Sequence, residues 1–244
     1  MKYIEKPNLP QGKVTLAAIN REAGESIKKL NSLGIKTLKI SSNPNLPIPV
    51  NSHADLQLLH IGFEQIFSLE HLFVGENEKK FKCKTIKQKA GNKYPEDVRL
   101  NCTIIDNILI CNEKTVAPEI LEFAYVSGFR IVNVNQGYSR CSICIINENA
   151  IITDDKSIYA AAGNFLNDVV FISKGSIGLN GYNYGFIGGC CGKIDKDTIA
   201  FNGRIESHTD YKIIIDALNR NNVGFVELTD KPLYDIGGII PLCE

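Results

Sequence analysis

Cys102-Thr-Ile-Ile-Asp-Asn-Ile-Leu-Ile-Cys111 is an apolar run, and the residues on its C-terminal side decide the fold. A stretch of helical composition, Val116 to Val126, leads to Gly128 and then to a β-branched segment, Phe129-Arg-Ile-Val-Asn-Val134. After Gln136-Gly137-Tyr138 a second apolar run starts, Arg140-Cys-Ser-Ile-Cys-Ile-Ile146. Between Val98 and Asp155 the chain states one strand–helix–strand unit and begins it again. Branched and aromatic side chains suit a half-buried pleated surface, and glycine ends a helix at little cost because it tolerates φ > 0.

Outward from this stretch, the helix-to-strand passage recurs. Leu30-Asn-Ser-Leu-Gly34-Ile-Lys-Thr-Leu-Lys-Ile40 and Leu218-Asn-Arg-Asn-Asn-Val-Gly224-Phe-Val-Glu-Leu228 match Phe123 to Val134, each with a glycine expected to close the helix. Apolar runs begin near His53, Cys102, Cys141, Cys190 and Ile239, every 39 to 49 residues. Repetition at this period marks units that bury their faces against neighbours. The last unit stops after one strand, while the first opens with an unmatched strand and helix, Lys13 to Leu33. Joining the two would remove the open sheet edges. Periodicity further predicts helices over 155–165 and 211–220, strands over 35–40, 81–86, 168–173, 198–201 and 225–229, and a hairpin from His53 to Phe67 broken near Gly62. A short helix and a mobile loop are expected between Ser68 and Asp97. The reading is a single α/β domain, 1–244, of five-fold pseudo-symmetry.

The composition is that of an ordinary globular protein, 44% hydrophobic and 22% charged, with 27 basic and 27 acidic residues. The densest basic run, Lys79 to Lys89, reads as a solvated face, which argues against nucleic acid as a partner. No run approaches the roughly 18 apolar residues of a membrane span, and the first residues lack a signal-peptide core, so a cytoplasmic protein without a membrane partner is expected. The eight cysteines are then expected to be free thiols. Composition leaves a protein partner open.

Candidate site residues emerge from placing side chains on these elements. His53 and Asp55, at strand spacing i, i+2, share one face and would open an otherwise apolar strand with a polar pair. Cys141 is either a nucleophile or a buried strand thiol; Arg140 beside it would point to the opposite face. Cys102 holds the equivalent place one repeat earlier. His60 and His71 read as structural or exposed, and His208-Thr-Asp210 as a helix cap. The segment from Gly181 to Gly192 is glycine-dense without the spacing of a P-loop, and Tyr182 and Tyr184 could line a ligand pocket there. A metal alternative arises because His53, Cys102, Cys141 and Cys190 start equivalent strands and imidazole with thiolates suits zinc. Cys141 and Cys144, at an odd offset, face opposite ways, and no metal or cofactor is assigned.

Five strand–strand–helix–strand units closed in a ring resemble the pentein, or guanidino-group-modifying enzyme (GME), fold, a five-fold α/β propeller. Gly12-Lys-Val-Thr-Leu-Ala-Ala-Ile19 with its helix to Leu33-Gly34, and Leu233-Tyr-Asp-Ile-Gly-Gly-Ile-Ile-Pro-Leu242, are similar to the first and last modules of arginine deiminases and dimethylarginine hydrolases. The chain also resembles a GME-fold family of unassigned function. The resemblance implies a small guanidino or amidine ligand, a thiolate that attacks its central carbon, a histidine that moves protons, and carboxylates that hold the cation. Carried to this sequence, His53 is the acid/base, Cys141 or Cys102 the nucleophile, and Asp55, Arg140, Asp235 and Tyr184 the substrate-binding residues. His53-Ala-Asp55 stands in an early repeat and Arg140-Cys141-Ser142 in a middle one, and a cyclically rotated site would use Cys102. Ile240-Pro241 stands in the final repeat where the nucleophile is expected, and Arg99-Leu-Asn-Cys102 where a Glu-Gly-Gly-Asp is expected. The competing class is a non-catalytic pentein resembling the ribosome anti-association factors.

Overall fold

The computed structural model describes residues 2–70 and 80–244. The chain opens with β1 (Leu16–Asn20) and β2 (Lys36–Ile40), which pair in parallel. Four three-stranded sheets come next: β3 (Leu58–His60), β4 (Gln65–Ser68) and β5 (Lys82–Thr85); β6 (Thr103–Ile105), β7 (Ile108–Cys111) and β8 (Arg130–Asn133); β9 (Ile143–Asn147), β10 (Ala150–Thr153) and β11 (Asp168–Phe171); β12 (Cys191–Asp195), β13 (Thr198–Phe201) and β14 (Gly224–Glu227). In each, the first two strands are antiparallel and the second and third parallel. Finally β15 (Ile239–Cys243) pairs antiparallel with β1, so β15-β1-β2 repeats the pattern from the two ends of the chain. The first four apolar runs of the sequence therefore each lead into a hairpin, the fifth supplies β15, and the expected pairing of first and last strands is present.

Among the described residues, helices fill four of the parallel crossovers: α1 (Gly24–Ser32) lies between β1 and β2, and α3 (Pro118–Val126), α4 (Lys156–Ala162) and α5 (Tyr211–Arg220) lie between the second and third strands of the later units, while the four-residue α2 (Ala54–Gln57) precedes β3. The short helix expected in the Ser68–Asp97 region, and His71, fall in or against 71–79, outside the described residues. Three helices end alike. After α1, Gly34 N–H donates to Asn31 O and Ile35 N–H to Leu30 O; after α3, Gly128 donates to Tyr125 O and Phe129 to Ala124 O. After α5 the same pair of bonds runs from Asn222 to Asn219 O and from Val223 to Leu218 O. The left-handed residue is Gly34 (φ 84°), Gly128 (φ 73°) and, in the third case, Asn222 (φ 54°). Asparagine tolerates this region better than other side chains. Gly224 therefore does not close α5, as its match to Gly34 and Gly128 implied, but starts β14.

The apolar faces of these units pack against one another. One buried cluster joins Ile4, Ala17, Ile19, Ile27 and Leu30 from the start of the chain to Ala200, Leu228 and Ile239 near its end. Another joins two neighbouring units through Leu56, Phe67, Leu100, Cys102, Leu109 and Ile120. Hydrogen bonds also link unit to unit through the residues just before the first strands. Asp55 N–H donates to Gly237 O (3.1 Å), Ile236 and Gly238 N–H to Gly189 O (2.9 and 2.8 Å), and Gly189 N–H to Cys141 O (3.0 Å). Arg140 N–H donates to Asn101 Oδ1 (2.9 Å), and Asn101 Nδ2 to Asp55 O (3.1 Å), which returns to the residue of departure. No helix among the described residues is long and apolar enough to cross a membrane.

Candidate active site

Where these linking residues meet, polar side chains gather although nearly every one is buried. Asp55 is 1% exposed, His53 3% and Asp235 1%. The backbone that carries them differs from the expected strand: His53 is extended at the N-cap of α2, and Asp55 lies in that helix's first turn. Alternation therefore does not set their directions. Likewise Arg140 and Cys141 lie in a turn ahead of β9.

Cys141 is the centre of the cluster. Its Sγ–H donates to Asp55 Oδ2 at 2.9 Å, and Asn101 Nδ2 donates to the same sulfur at 3.1 Å. Asn101 Oδ1 accepts from the N–H groups of Arg140 and Cys141 (2.9 and 3.3 Å), so one carboxamide holds the turn and touches the thiol. Burial pushes the Cys141 thiol well up from its ordinary range, and the negative charges of Asp55 and Asp235 push it further; the Asn101 hydrogen bond acts the other way. Asp55 Oδ1 is buried and has no hydrogen-bond partner among the described residues. A buried carboxylate oxygen without a donor is costly.

Asp235 stands beside this pair. Its Oδ1 accepts from Gly237 N–H and its Oδ2 from Phe186 N–H, both at 2.9 Å. His53 Nδ1 is 3.7 Å from Asp235 Oδ1. Burial raises the Asp235 carboxyl above the usual carboxylate range; His53 opposes this and Asp55 adds to it. A Cβ at Gly189 would overlap the Asp235 carboxylate, and one at Gly237 would overlap His53. In the fourth and fifth units the positions matching Cys141 are glycines because these two side chains occupy that space.

A cavity of about 250 Å³ opens over this floor, lined by His53, Cys141 and Asp235 and walled by Val50, Leu56, Leu179, Tyr138, Tyr182, Tyr184, Phe186 and Asn183. Tyr138 stacks on Phe186 with ring centroids 5.8 Å apart, and Tyr184 meets Phe186 edge-on at 5.9 Å. Tyr138 Oη donates to Asp97 Oδ2 at 2.5 Å, which fixes that wall. A broader cleft of about 960 Å³ reaches His53 and Asp235 from the side of α1 and the Tyr234 segment.

Five of the residues singled out from sequence, His53, Cys141, Asp235, Tyr182 and Tyr184, meet at this cavity, with Asp55 directly behind Cys141. Two do not. The Arg140 guanidinium, 6% exposed, donates to the carbonyls of Ile143 (3.3 Å) and Gly188 (3.4 Å). Cys102 is fully buried among apolar residues. Both border a void of about 10 Å³, room for no more than about one water. The axial thiol set expected for zinc is likewise not assembled: Cys102 and Cys190 belong to separate apolar clusters, and Cys190 Sγ donates to Ile187 O at 3.1 Å. No group of three metal-ligating side chains is present among the described residues. Sequence reasoning missed Asn101, Tyr138 and Phe186. For Asn101 a signal existed: it stands two residues before β6, as Cys141 stands two before β9. His208, predicted to lie in a cap, accepts the Asp210 N–H at Nδ1, and the Asp210 carboxylate accepts from Ser173 of the preceding unit instead of from its own helix.

Known structures share this architecture. An inosamine-phosphate amidinotransferase from Streptomyces griseus superposes with a TM-score of 0.58 over 94% of this chain and 92% of its own, at 10% identity. DDAH from Pseudomonas aeruginosa, solved with citrulline, gives 0.56 over 93% and 96%, at 9% identity. An agmatine deiminase from C. jejuni gives 0.55 over 93% of each chain, at 8% identity. The fold is pentein-like, the architecture these solved structures share. A search of curated proteins finds no match. The model of a family of unknown function, DUF6873, matches residues 18–240, and the chain belongs to that family.

Proposed function

We propose that the chain is a guanidino- or amidine-modifying enzyme built on one closed five-unit α/β propeller, with Cys141 as nucleophile. The observation that carries this reading is the Cys141 Sγ–Asp55 Oδ2 hydrogen bond at the floor of an aromatic-walled cavity that also holds His53 and Asp235. Solved structures with this architecture include an amidinotransferase and a deiminase. The unit-to-unit hydrogen bonds and the β15–β1 pairing support ring closure.

In this mechanism the planar cation lies over Cys141, donates an N–H bond to Asp235, which lines the cavity, and is attracted by the Asp55 carboxylate behind the thiol. Its positive charge offsets the two carboxylates that hold the thiol protonated, so binding itself lowers the barrier to forming the thiolate. The thiol proton leaves through Asp55 or His53, and the sulfur attacks the central carbon. The C–N bond to the leaving amine breaks as His53 delivers a proton to that nitrogen, and an S-amidino adduct remains. Water, or an acceptor amine, then attacks the adduct, loses its proton to His53 and regenerates the thiol.

The experiment is alkylation by chloroacetamidine, an amidinium that places its carbon–chlorine bond where the thiol would attack, with the modified cysteine located by mass spectrometry. Labelling at Cys141 far faster than with the neutral amide reagent, and lost in Cys141→Ser, is the expected result. Labelling at Cys141 no faster than in unfolded protein, or confined to the exposed Cys83, would overturn the reading in favour of a non-catalytic binding body.

A further inference from the structure

The cavity also states what its ligand must lack. Its walls are four aromatic rings and three aliphatic side chains, and its charged members are Asp235 and, behind Cys141, Asp55. Among the described residues no lysine or arginine lines it. Arg140, adjacent in sequence to the nucleophile, is committed to two backbone carbonyls. Lys174 lies on the ring of Tyr184 at 5.8 Å, and is not a lining residue. The broader cleft that reaches His53 and Asp235 carries Glu22 and Glu25 against one cation, Lys231, whose Nζ is paired with Glu25 Oε1 at 2.7 Å. Both routes to the reacting centre are therefore acidic or apolar. A carboxylate on the ligand would meet no lysine or arginine in the cavity, and in the cleft only a lysine already paired with Glu25, while a cation is attracted by the carboxylates and by the faces of the rings.

Size adds a second limit. The cavity, about 250 Å³, lies below the roughly 300–1,000 Å³ of pockets that take drug-sized ligands. A guanidinium with a short apolar chain laid along the exposed faces of Tyr138, Tyr184 and Phe186 suits that volume.

Resting on the guanidino reading above, we infer that the substrate is a short N-alkylguanidine or alkylamidine without a carboxylate, in which the aromatic walls take the alkyl chain, and not a guanidino amino acid. Tyr138, Tyr184 and Phe186 are then specificity-determining residues. They hold a chain that an amino acid's charged end would have to share.

The test is titration calorimetry on Cys141→Ala, which binds without chemistry, using n-butylguanidine, arginine and arginine methyl ester. Butylguanidine is expected to bind at least tenfold more tightly than arginine, and the ester, which differs from arginine by loss of the negative charge, to recover much of the gap. Arginine binding as tightly as butylguanidine, or more tightly than its ester, would overturn the inference while leaving the guanidino reading in place. Absence of binding by all three would remove the guanidino reading itself, and the inference with it. Tyr184→Ala in the same background, with folding checked by circular dichroism, separates the wall from the floor. Weaker butylguanidine binding with arginine unchanged supports the aromatic wall as the selector, and an equal loss for both contradicts it.

Discussion

Cys102 and Cys141 occur in matching apolar runs one repeat apart, yet the chain puts them to opposite uses. Cys141 touches a carboxylate and a carboxamide beside a cavity. Cys102 is fully buried between Leu100 and Ile104 in an apolar cluster, its thiol pushed well up by burial and then by Cys111. The difference is one residue of register. Counting back from the first strand of each unit, the residue that matches Cys141 is Asn101; Cys102 matches Ser142, which is also fully buried. A slip of one position exchanges the polar centre for the packed interior, as it does along any strand.

The largest effect expected from this contrast is on alkylation by chloroacetamidine. Cys141→Ser abolishes the fast phase and Cys102→Ser leaves its rate unchanged; equal losses in both variants would place the two thiols at one site. Next comes the electrostatic coupling. Because burial and the charges of Asp55 and Asp235 raise the Cys141 thiol, its alkylation in the free protein rises steadily with pH through 9, the ordinary thiol range. Removing one charge by Asp55→Asn lowers that thiol pKa. Each unit of fall multiplies the thiolate population about tenfold near neutral pH. Iodoacetamide, which is neutral, should therefore label the variant about tenfold faster at pH 8, while chloroacetamidine, which needs the carboxylate, labels it more slowly. If both rates fall together, Asp55 is not acting through charge on this thiol. Asp235→Asn shifts the neutral reagent in the same direction by less, since Asp235 has no direct bond to the sulfur.

A smaller effect isolates Asn101. Alanine there leaves the N–H groups of Arg140 and Cys141 without their acceptor, a cost of about 1–3 kcal/mol in stability, and removes the hydrogen bond that favours the thiolate. Iodoacetamide labelling of Cys141 should slow by about tenfold. Asn101→Asp keeps the acceptor and returns part of the stability, but sets a negative charge against the sulfur, so labelling stays slow. A parallel recovery of both quantities would reduce Asn101 to a structural role. Denaturant midpoints and labelling rates, measured on the same samples, separate the two.

Much of the architecture was legible because it is written in repetition. Runs near His53, Cys102, Cys141 and Cys190 marked four hairpins, and the run at Ile239 with the unmatched strand and helix before Leu33 pointed to the β15–β1 pairing. What failed was register and local geometry. Gly224 was matched with Gly34 and Gly128, whereas Asn222 takes the left-handed turn, since two residue types can occupy that conformation. His53-Ala-Asp55 reads as alternating in sequence, yet four residues curl into a helix before β3; so short a segment has no period to detect. Asn101 and Tyr138 act through partners 40 and 41 residues away, Cys141 and Asp97. Such side-chain meetings arise from how units stack and leave no trace in local spacing.

The smallest predicted effect tests the register from the buried side. At Cys102 a serine keeps nearly the same volume but places a hydroxyl in a mostly apolar cluster with Leu100, Ile104, Leu109 and Cys111, beside a void of about 10 Å³ at the lower limit for a single water. Burying an unpaired hydroxyl costs about 1–3 kcal/mol. Alanine removes the sulfur and leaves a void close to one methyl group, which costs about 1 kcal/mol. Cys102→Ser should thus be less stable than Cys102→Ala, with both unfolding at lower urea than the native chain, at unchanged slope, and both alkylated at Cys141 at the native rate. The order would reverse at a thiol that faces a polar cavity, where serine finds water or a partner and alanine does not. The ranking of two conservative variants therefore reads out which way the residue points.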